Sequence, residues 1–330
     1  MPFSALREDV VDLRTLSLCT GIRGLDLGLH AAAGGRTRAV CYVEREAFPL
    51  AHLVEAMQEG RLAPAPIWSD VSTFDARPWR RVVDCIAGSY PCQPFSQAGR
   101  RQGANDARHL WPDFARIIRE CEPWLCVFEN VAGHASLGLD EVARDLEDMG
   151  YASAGILLRA SDVGAPHQRE RLFILAGRVA DGLCERLALL CERDDDNRSH
   201  ALGHEPDGRN PHVADVVGEP LWLEPKRDQR QGRGERTPER GHTEPLDDGF
   251  PGFPPFPEDE AGWAEYLERH PDLEPAFLRG VHGLSEGLDE DRVDRIRALG
   301  NAVVPQQAAV ALRILACALY DSLYGAPTDV

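Results

Sequence analysis

From Leu13 to about Ala176 the chain alternates short apolar, β-branched stretches with longer ones whose apolar residues fall three and four positions apart. The first kind predicts strands over Leu13 to Leu18, Arg38 to Val43, Val82 to Ala87, Trp124 to Glu129, Ala152 to Leu158 and Leu172 to Ala176. The second predicts helices, among them Ala47 to Gln58, Trp111 to Cys121 and Asp140 to Met149. Alternation of this sort predicts a wound α/β sheet with ligands at the C-terminal ends of its strands.

Beyond about Arg178 the periodicity fades. Charged, Gly- and Pro-rich sequence runs to about Gly280, including Arg227-Asp-Gln-Arg-Gln-Gly-Arg-Gly-Glu-Arg and Phe250-Pro-Gly-Phe-Pro-Pro-Phe-Pro. This predicts a second, irregular region with long loops, and for Arg227 to Glu244 a disordered linker fits equally well. Regular patterning returns at Val293, and Gln306 to Tyr324 reads as a closing helix. There is no internal repeat.

Length and composition narrow the picture. A chain of 330 residues with 43% hydrophobic content can form one large or two modest cores. Neither a signal peptide nor an apolar run of about 20 residues is present, so a cytoplasmic location without membrane association is expected. Nine cysteines without framework spacing predict reduced thiols. With 36 basic against 54 acidic residues the net charge is -18, so a polyanionic partner would need the basic groups gathered on one face.

Four segments carry candidate chemistry. The first strand runs into Leu18-Cys-Thr-Gly-Ile-Arg-Gly, a glycine turn opening a helix, and the next ends in Glu44. Backbone N–H groups and a carboxylate placed so suit an adenosine-containing cofactor; an ordinary strand-to-helix turn is the plain alternative. The spacing of Gly21 and Gly24 is not that of the dinucleotide fingerprint. After the third strand comes Gly88-Ser-Tyr-Pro-Cys-Gln-Pro-Phe-Ser, where Cys92 sits in a proline-bounded turn, either as an accessible thiol or as a buried structural one. The fourth strand ends in Glu129 and Asn130; an acid at a sheet mouth with few charged neighbours has a raised pKa and can donate a proton, unless it merely caps the strand. Finally Arg169 and Arg171, two apart and leading into a strand, are expected to share one face, as ligand-binding guanidinium groups or as a solvated pair.

In order along the chain, the glycine turn, Pro91-Cys92-Gln93, Glu129-Asn130-Val131, Arg169-x-Arg171 and Gly300-Asn301-Ala302-Val303-Val304-Pro305 resemble the C5-cytosine DNA methyltransferases. The resemblance covers residues 13 to 178 and 292 to 324, taken as one catalytic domain of the Rossmann-like class I methyltransferase fold. Residues 179 to 291 correspond to the target-recognition region, where Lys226, Arg227, Arg230, Arg233, Arg236 and Arg240 suit phosphate contacts.

The resemblance implies methyl transfer from S-adenosyl-L-methionine to C5 of a cytosine flipped out of double-stranded DNA. It makes Cys92 the nucleophile, Glu129 the group at N3, and Arg171 with Arg169 the holders of the base, with Asn130 positioning Glu129. Gln93 to Asp106 matches the family's mobile loop, with Gln93 and Ser96 at the substrate. Cofactor contacts carry over to Cys19, Gly21, Gly24, Glu44, Asp70, Val71, Asn301 and Val303. Restriction-modification or phage protection, with an endonuclease as functional partner and a monomeric chain, is the expected setting.

Departures are Cys19 for the usual Phe, Arg23 for Gly, and His167 for Gln. Loss of the aromatic weakens an adenine contact by ~1 kcal/mol, and Arg23 is expected to crowd the cofactor. Cys184, Cys191, His200 and His204 lack zinc-knuckle spacing, so no metal is expected. Two other readings are a tRNA cytosine-5 methyltransferase and a catalytically silent cofactor- or DNA-binding protein. A nicotinamide enzyme leaves the later motifs unexplained.

Overall fold

The structure is a computed structural model that describes residues 12–90, 110–136, 138–165, 167–179, 182–190, 221–223 and 301–325. Cys92, Gln93, Ser96, the Gln93 to Asp106 segment and the Arg227 to Glu244 basic stretch lie outside the described residues.

In chain order the strands are β1 (Leu13–Leu18), β2 (Thr37–Val43), β3 (Ile67–Trp68), β4 (Cys85–Gly88), β5 (Leu125–Val131), β6 (Tyr151–Leu158), β7 (Arg171–Arg178) and β8 (Leu221–Leu223). The helices are α1 (Gly24–Ala32), α2 (Ala47–Gln58), α3 (Trp111–Cys121), α4 (Leu139–Asp148), α5 (Leu183–Leu190) and α6 (Pro305–Tyr324). One sheet runs β3-β2-β1-β4-β5-β7-β6-β8. Its pairs are parallel except at β7, which is antiparallel to both β5 and β6.

The near-continuous apolar strands follow from burial on both faces. Successive side chains alternate, so Leu16, Leu18, Ile86, Cys126, Phe128, Leu172 and Ile174 line one face under α3 and α4. Cys85, Ala87, Leu125, Val127, Phe173 and Leu175 line the other, under α1, α5 and α6. Each large aliphatic side chain fully buried there contributes about 2 kcal/mol. A smaller core joins Tyr42 of β2 to Leu53 and Ala56 of α2.

Small residues let α1 and α6 cross closely. A Cβ added at Gly28 would stand 2.4 Å from Ala308 Cβ and 2.8 Å from the Pro305 oxygen. The closing helix thereby completes the body begun by β1. α5 and β8 extend that body past Arg178: Leu183, Leu187 and Leu190 join its core, and β8 pairs with β6.

The strand expected from Val82 begins only at Cys85. Arg81 adopts a left-handed φ of 62°, and the Val82 and Val83 amides bond back to the Trp79 oxygen. These valines therefore form a turn, whatever their β propensity. The all-thiol expectation also fails at Cys317, which is disulfide-bonded, because pairing is decided by proximity in space rather than by spacing along the chain. Cys19, Cys41, Cys85, Cys121, Cys126 and Cys184 are free thiols.

Candidate active site

The reversed direction of β7 builds the site. Parallel strands β1, β4 and β5 show their C-terminal ends at one edge of the sheet, and an antiparallel strand brings its N-terminal end to the same edge. Arg171, first residue of β7, accordingly pairs with Val131, last residue of β5. Its Nε lies 3.0 Å from Glu129 Oε1. Glu129 is only 5% exposed, so it is a buried acid with a cationic neighbour instead of the sparsely surrounded one that was expected. Burial pushes its pKa up, while Arg171, a hydrogen bond from Ser89 and the more distant Arg169 pull it down; burial prevails.

Asn130 links this acid to the neighbouring strand. Its Nδ2 donates to the Tyr90 carbonyl at 3.2 Å, and its Oδ1 accepts from the Val131 amide at 2.9 Å. Tyr90 precedes Cys92 by two residues. Its ring is buried against Trp111, Phe114 and Phe128, and its hydroxyl meets His134 Nε2 at 2.8 Å. Sequence periodicity gives no signal for Ser89, Tyr90 or His134, since each lies just beyond a strand.

Arg169 does not share the strand face with Arg171. It lies before β7 with a left-handed φ of 34°, so the two-residue period does not reach it. Its guanidinium donates to the Ala302 carbonyl, and its own carbonyl accepts from Gln307 Nε2 at 3.0 Å. Gln307, fully buried on α6, also donates to the Leu158 carbonyl at 2.8 Å. This pair, Arg169 and Gln307, therefore joins the C-terminal segment to the entrance of β7. Desolvation lowers the Arg169 pKa.

At the other half of the edge, Glu44 directly follows β2 and is buried. It accepts from the Gly21 amide at 2.6 Å and the Glu46 amide at 2.7 Å. Gly21 has a φ of +54°, and a Cβ built there would meet nothing within 4 Å, so the space over the turn is open. Gly24 is explained differently: a Cβ would stand 2.1 Å from the Val303 oxygen, so this glycine admits the C-terminal backbone. Val303 is buried there, whereas Asn301 is exposed. Asp70 accepts from both the amide and the hydroxyl of Ser72, which lowers its pKa. Buried Val71 follows, and Arg116 of α3, missed by sequence reasoning, holds the Val71 and Phe74 carbonyls at 2.9 and 2.8 Å.

Cys19 also adopts a left-handed conformation, φ 50°, and burial with nearby Glu44 and Asp113 pushes its thiol up to about 12. Arg23 turns toward Asp26 and Tyr42, and its charge lowers the pKa of both, against the stronger effect of burial. Asp26 accepts from the Ser17 hydroxyl at 3.0 Å, while Arg23 Nε, Asp26 Oδ1 and the Tyr42 hydroxyl are buried without a hydrogen bond. The side chain expected to crowd the cofactor thus neighbours a buried carboxylate beneath the turn. Among the described residues, no group of three or more His, Cys, Asp or Glu could hold a metal, and no helix is long and apolar enough to cross a membrane.

The family model for C-5 cytosine-specific DNA methylases matches residues 13–224, more than half of the chain. The chain belongs to that family. The methylase relatives include the type II methyltransferase M.Eco47II of Escherichia coli, 34% identical over 176 residues that cover 51% of this chain and 40% of the relative. M.CviJI of a Paramecium bursaria Chlorella virus is 32% identical over 171 residues, 51% of this chain and 44% of the relative. The chain thus spans less than half the length of these two relatives. Among solved structures, the Dnmt2 methyltransferase of S. pombe is 23% identical and overlaps 52% of this chain and 51% of its own, with a TM-score of 0.41. The methylase sheet order stands on its own pairing, a Rossmann-like doubly wound sheet of the class I methyltransferase kind.

Proposed function

We propose that the chain methylates C5 of cytosine within a specific sequence of double-stranded DNA, drawing the methyl group from S-adenosylmethionine and attacking C6 with Cys92. The observation that carries the proposal is Glu129, a buried acid paired with Arg171 and joined through Asn130 to the peptide two residues before Cys92. Membership of the methylase family supports the reaction class.

C5 of cytosine is a weak nucleophile until a thiolate adds to C6. That addition places negative charge on the ring at N3, where protonated Glu129 donates a proton or hydrogen bond. Burial raises its pKa and so favours the protonated form, and Arg171 stabilises the carboxylate left behind. Once C5 carries the methyl group, a solvent base takes the C5 proton, the Cys92 sulfur departs as thiolate and N3 returns its proton to the Glu129 carboxylate, so the ring regains its aromaticity and the acid is restored. Reaching C6 requires the base to leave the stack, so Gln93 and Ser96 are assigned to the flipped nucleotide and its surroundings.

The cofactor fits the other half of the edge. Glu44 offers a carboxylate to ribose hydroxyls beside the open space over Gly21, and Asp70 with Val71 lies at the end of the next strand. S-adenosylmethionine would supply an electrophilic sulfonium methyl group there. Cys19, Gly24, Asn301 and Val303 are assigned to the same half, with Gly24 and Val303 shaping its floor.

Residues 13 to 178 and 292 to 324, with α5 and β8 packed onto them, serve as the catalytic domain, and the rest of 179 to 291 as the region that reads the DNA sequence. We assign the chain to a monomeric, cytoplasmic modification enzyme that protects sites from a companion endonuclease. The test is transfer of tritiated methyl groups to unmethylated bacteriophage DNA and, separately, to bulk tRNA. Label in DNA that Cys92→Ala abolishes is expected; label in tRNA alone overturns the DNA assignment.

A further inference from the structure

We propose that His134 and Tyr90 form a positioning pair that fixes the direction in which the chain leaves β4 toward Cys92; this rests on the methyltransferase reading above. Tyr90 and His134 are 4% and 2% exposed, and the Tyr90 ring sits in an aromatic box of Trp111, Phe114 and Phe128 with the His134 ring edge-on to it. Filling such a box needs only apolar rings. A hydroxyl and an imidazole placed there lose their hydration, and their 2.8 Å hydrogen bond is what makes that placement tolerable.

What the bond adds over apolar packing is direction. Whichever ring nitrogen carries the proton, it fixes the phenol ring's rotation and so the backbone of Tyr90. It also completes a set of links between two short segments. The Tyr90 carbonyl accepts from Asn130, and the Tyr90 hydroxyl bonds to His134. Tyr90, two residues past β4, is thus held at its carbonyl by the end of β5 and at its hydroxyl by the turn that follows. The group proposed to protonate the base and the root of the segment bearing the proposed nucleophile are then held in register by the same few residues. Small displacements of a reacting group cost large factors in rate. His134 touches neither substrate nor cofactor in this assignment; it acts through Tyr90.

The test uses the full chain in excess over unmethylated bacteriophage DNA, with tritiated S-adenosylmethionine, and follows a single turnover. Tyr90→Phe and His134→Leu are each expected to slow methyl transfer about tenfold or more, with cofactor and DNA affinities unchanged. The double variant is expected to be no slower than the slower single, because both remove one link. His134→Gln, which can still bond to the hydroxyl, is expected to recover much of the rate. Should His134→Leu fail to fold, Tyr90→Phe carries the test alone, since it deletes only one oxygen. Rates for Tyr90→Phe within about twofold of the unmodified chain overturn the pair's role, as do losses confined to affinity or effects that multiply. An unmodified chain that labels no DNA overturns the DNA-methylation reading, and with it this proposal.

Discussion

Arg171 Nε stands 3.0 Å from Glu129 Oε1, although the two residues lie on strands running in opposite directions. The carboxylate is almost wholly buried and the guanidinium mostly so, which puts the pair beyond the weak regime of surface ion pairs. Arg171→Ala leaves a buried acid without its counter-charge, and a stability loss of about 3 kcal/mol is expected in urea unfolding. Glu129→Gln preserves shape and hydrogen bonding, so it should fold normally while single-turnover methylation falls about a hundredfold or more.

The pH dependence of that rate follows from the same residue. Burial raises the Glu129 pKa, so the protonated donor persists above the usual carboxylate range and is lost as pH rises through the raised value. Single-turnover rates should therefore decline on the alkaline side of that value. A rate that only climbs with pH contradicts Glu129 as proton donor.

Asp26 makes a separate prediction, on stability. Its pKa is raised from 3.8 to about 6, chiefly by burial. The folded state thus holds this proton more tightly than the unfolded one, and stability falls as pH rises from about 4 to about 6. Asp26→Asn cannot ionise. Its unfolding free energy relative to the unmodified chain should improve by about 3 kcal/mol between pH 4 and pH 7, measured by urea titration. Arg23→Gly removes the charge that restrains the Asp26 pKa, so the fall should extend to higher pH and become larger in total.

Two glycines of one turn should respond differently to alanine. Gly24→Ala drives a Cβ into the Val303 backbone and should cost about 3 kcal/mol, because backbone cannot swing aside as a side chain can. Gly21→Ala meets open space and should cost only about 1 kcal/mol for its left-handed φ. Thermal melts of the two variants separate the readings. Equal losses would show that the C-terminal segment does not rest on Gly24.

Gln307→Leu tests the same junction from α6. It leaves the Leu158 and Arg169 carbonyls without their donor, so a loss of about 2 kcal/mol is expected, with release of the Arg169 backbone. Limited proteolysis should then cut faster near residue 169 than in the unmodified chain.

Much of this was legible in the sequence for a physical reason. A strand buried on both faces must be apolar throughout and a covering helix must carry an apolar stripe, so β1, α2, α3 and α6 fall within a residue of their expected bounds. Strands of two or three residues, such as β3 and β8, are too short to show a period. Arg169 is expected on the same face as Arg171 because periodicity does not reveal a left-handed residue just before the strand. Gly24 looked like a turn made for a ligand; the chain segment that presses on it comes nearly three hundred residues later. Tyr90 and His134 meet through tertiary contact between strand ends, which no local pattern encodes. Glu129, Asn130 and Arg171 were legible through their motifs, but their mutual geometry came from the antiparallel β7.

The most direct measurement is base-resolution sequencing of 5-methylcytosine in DNA from a methylation-deficient host that expresses the chain, beside a Cys92→Ala control. The account predicts methylation confined to one short sequence context and absent from the control. Unmodified DNA despite folded protein, or equal methylation with Cys92→Ala, would contradict it.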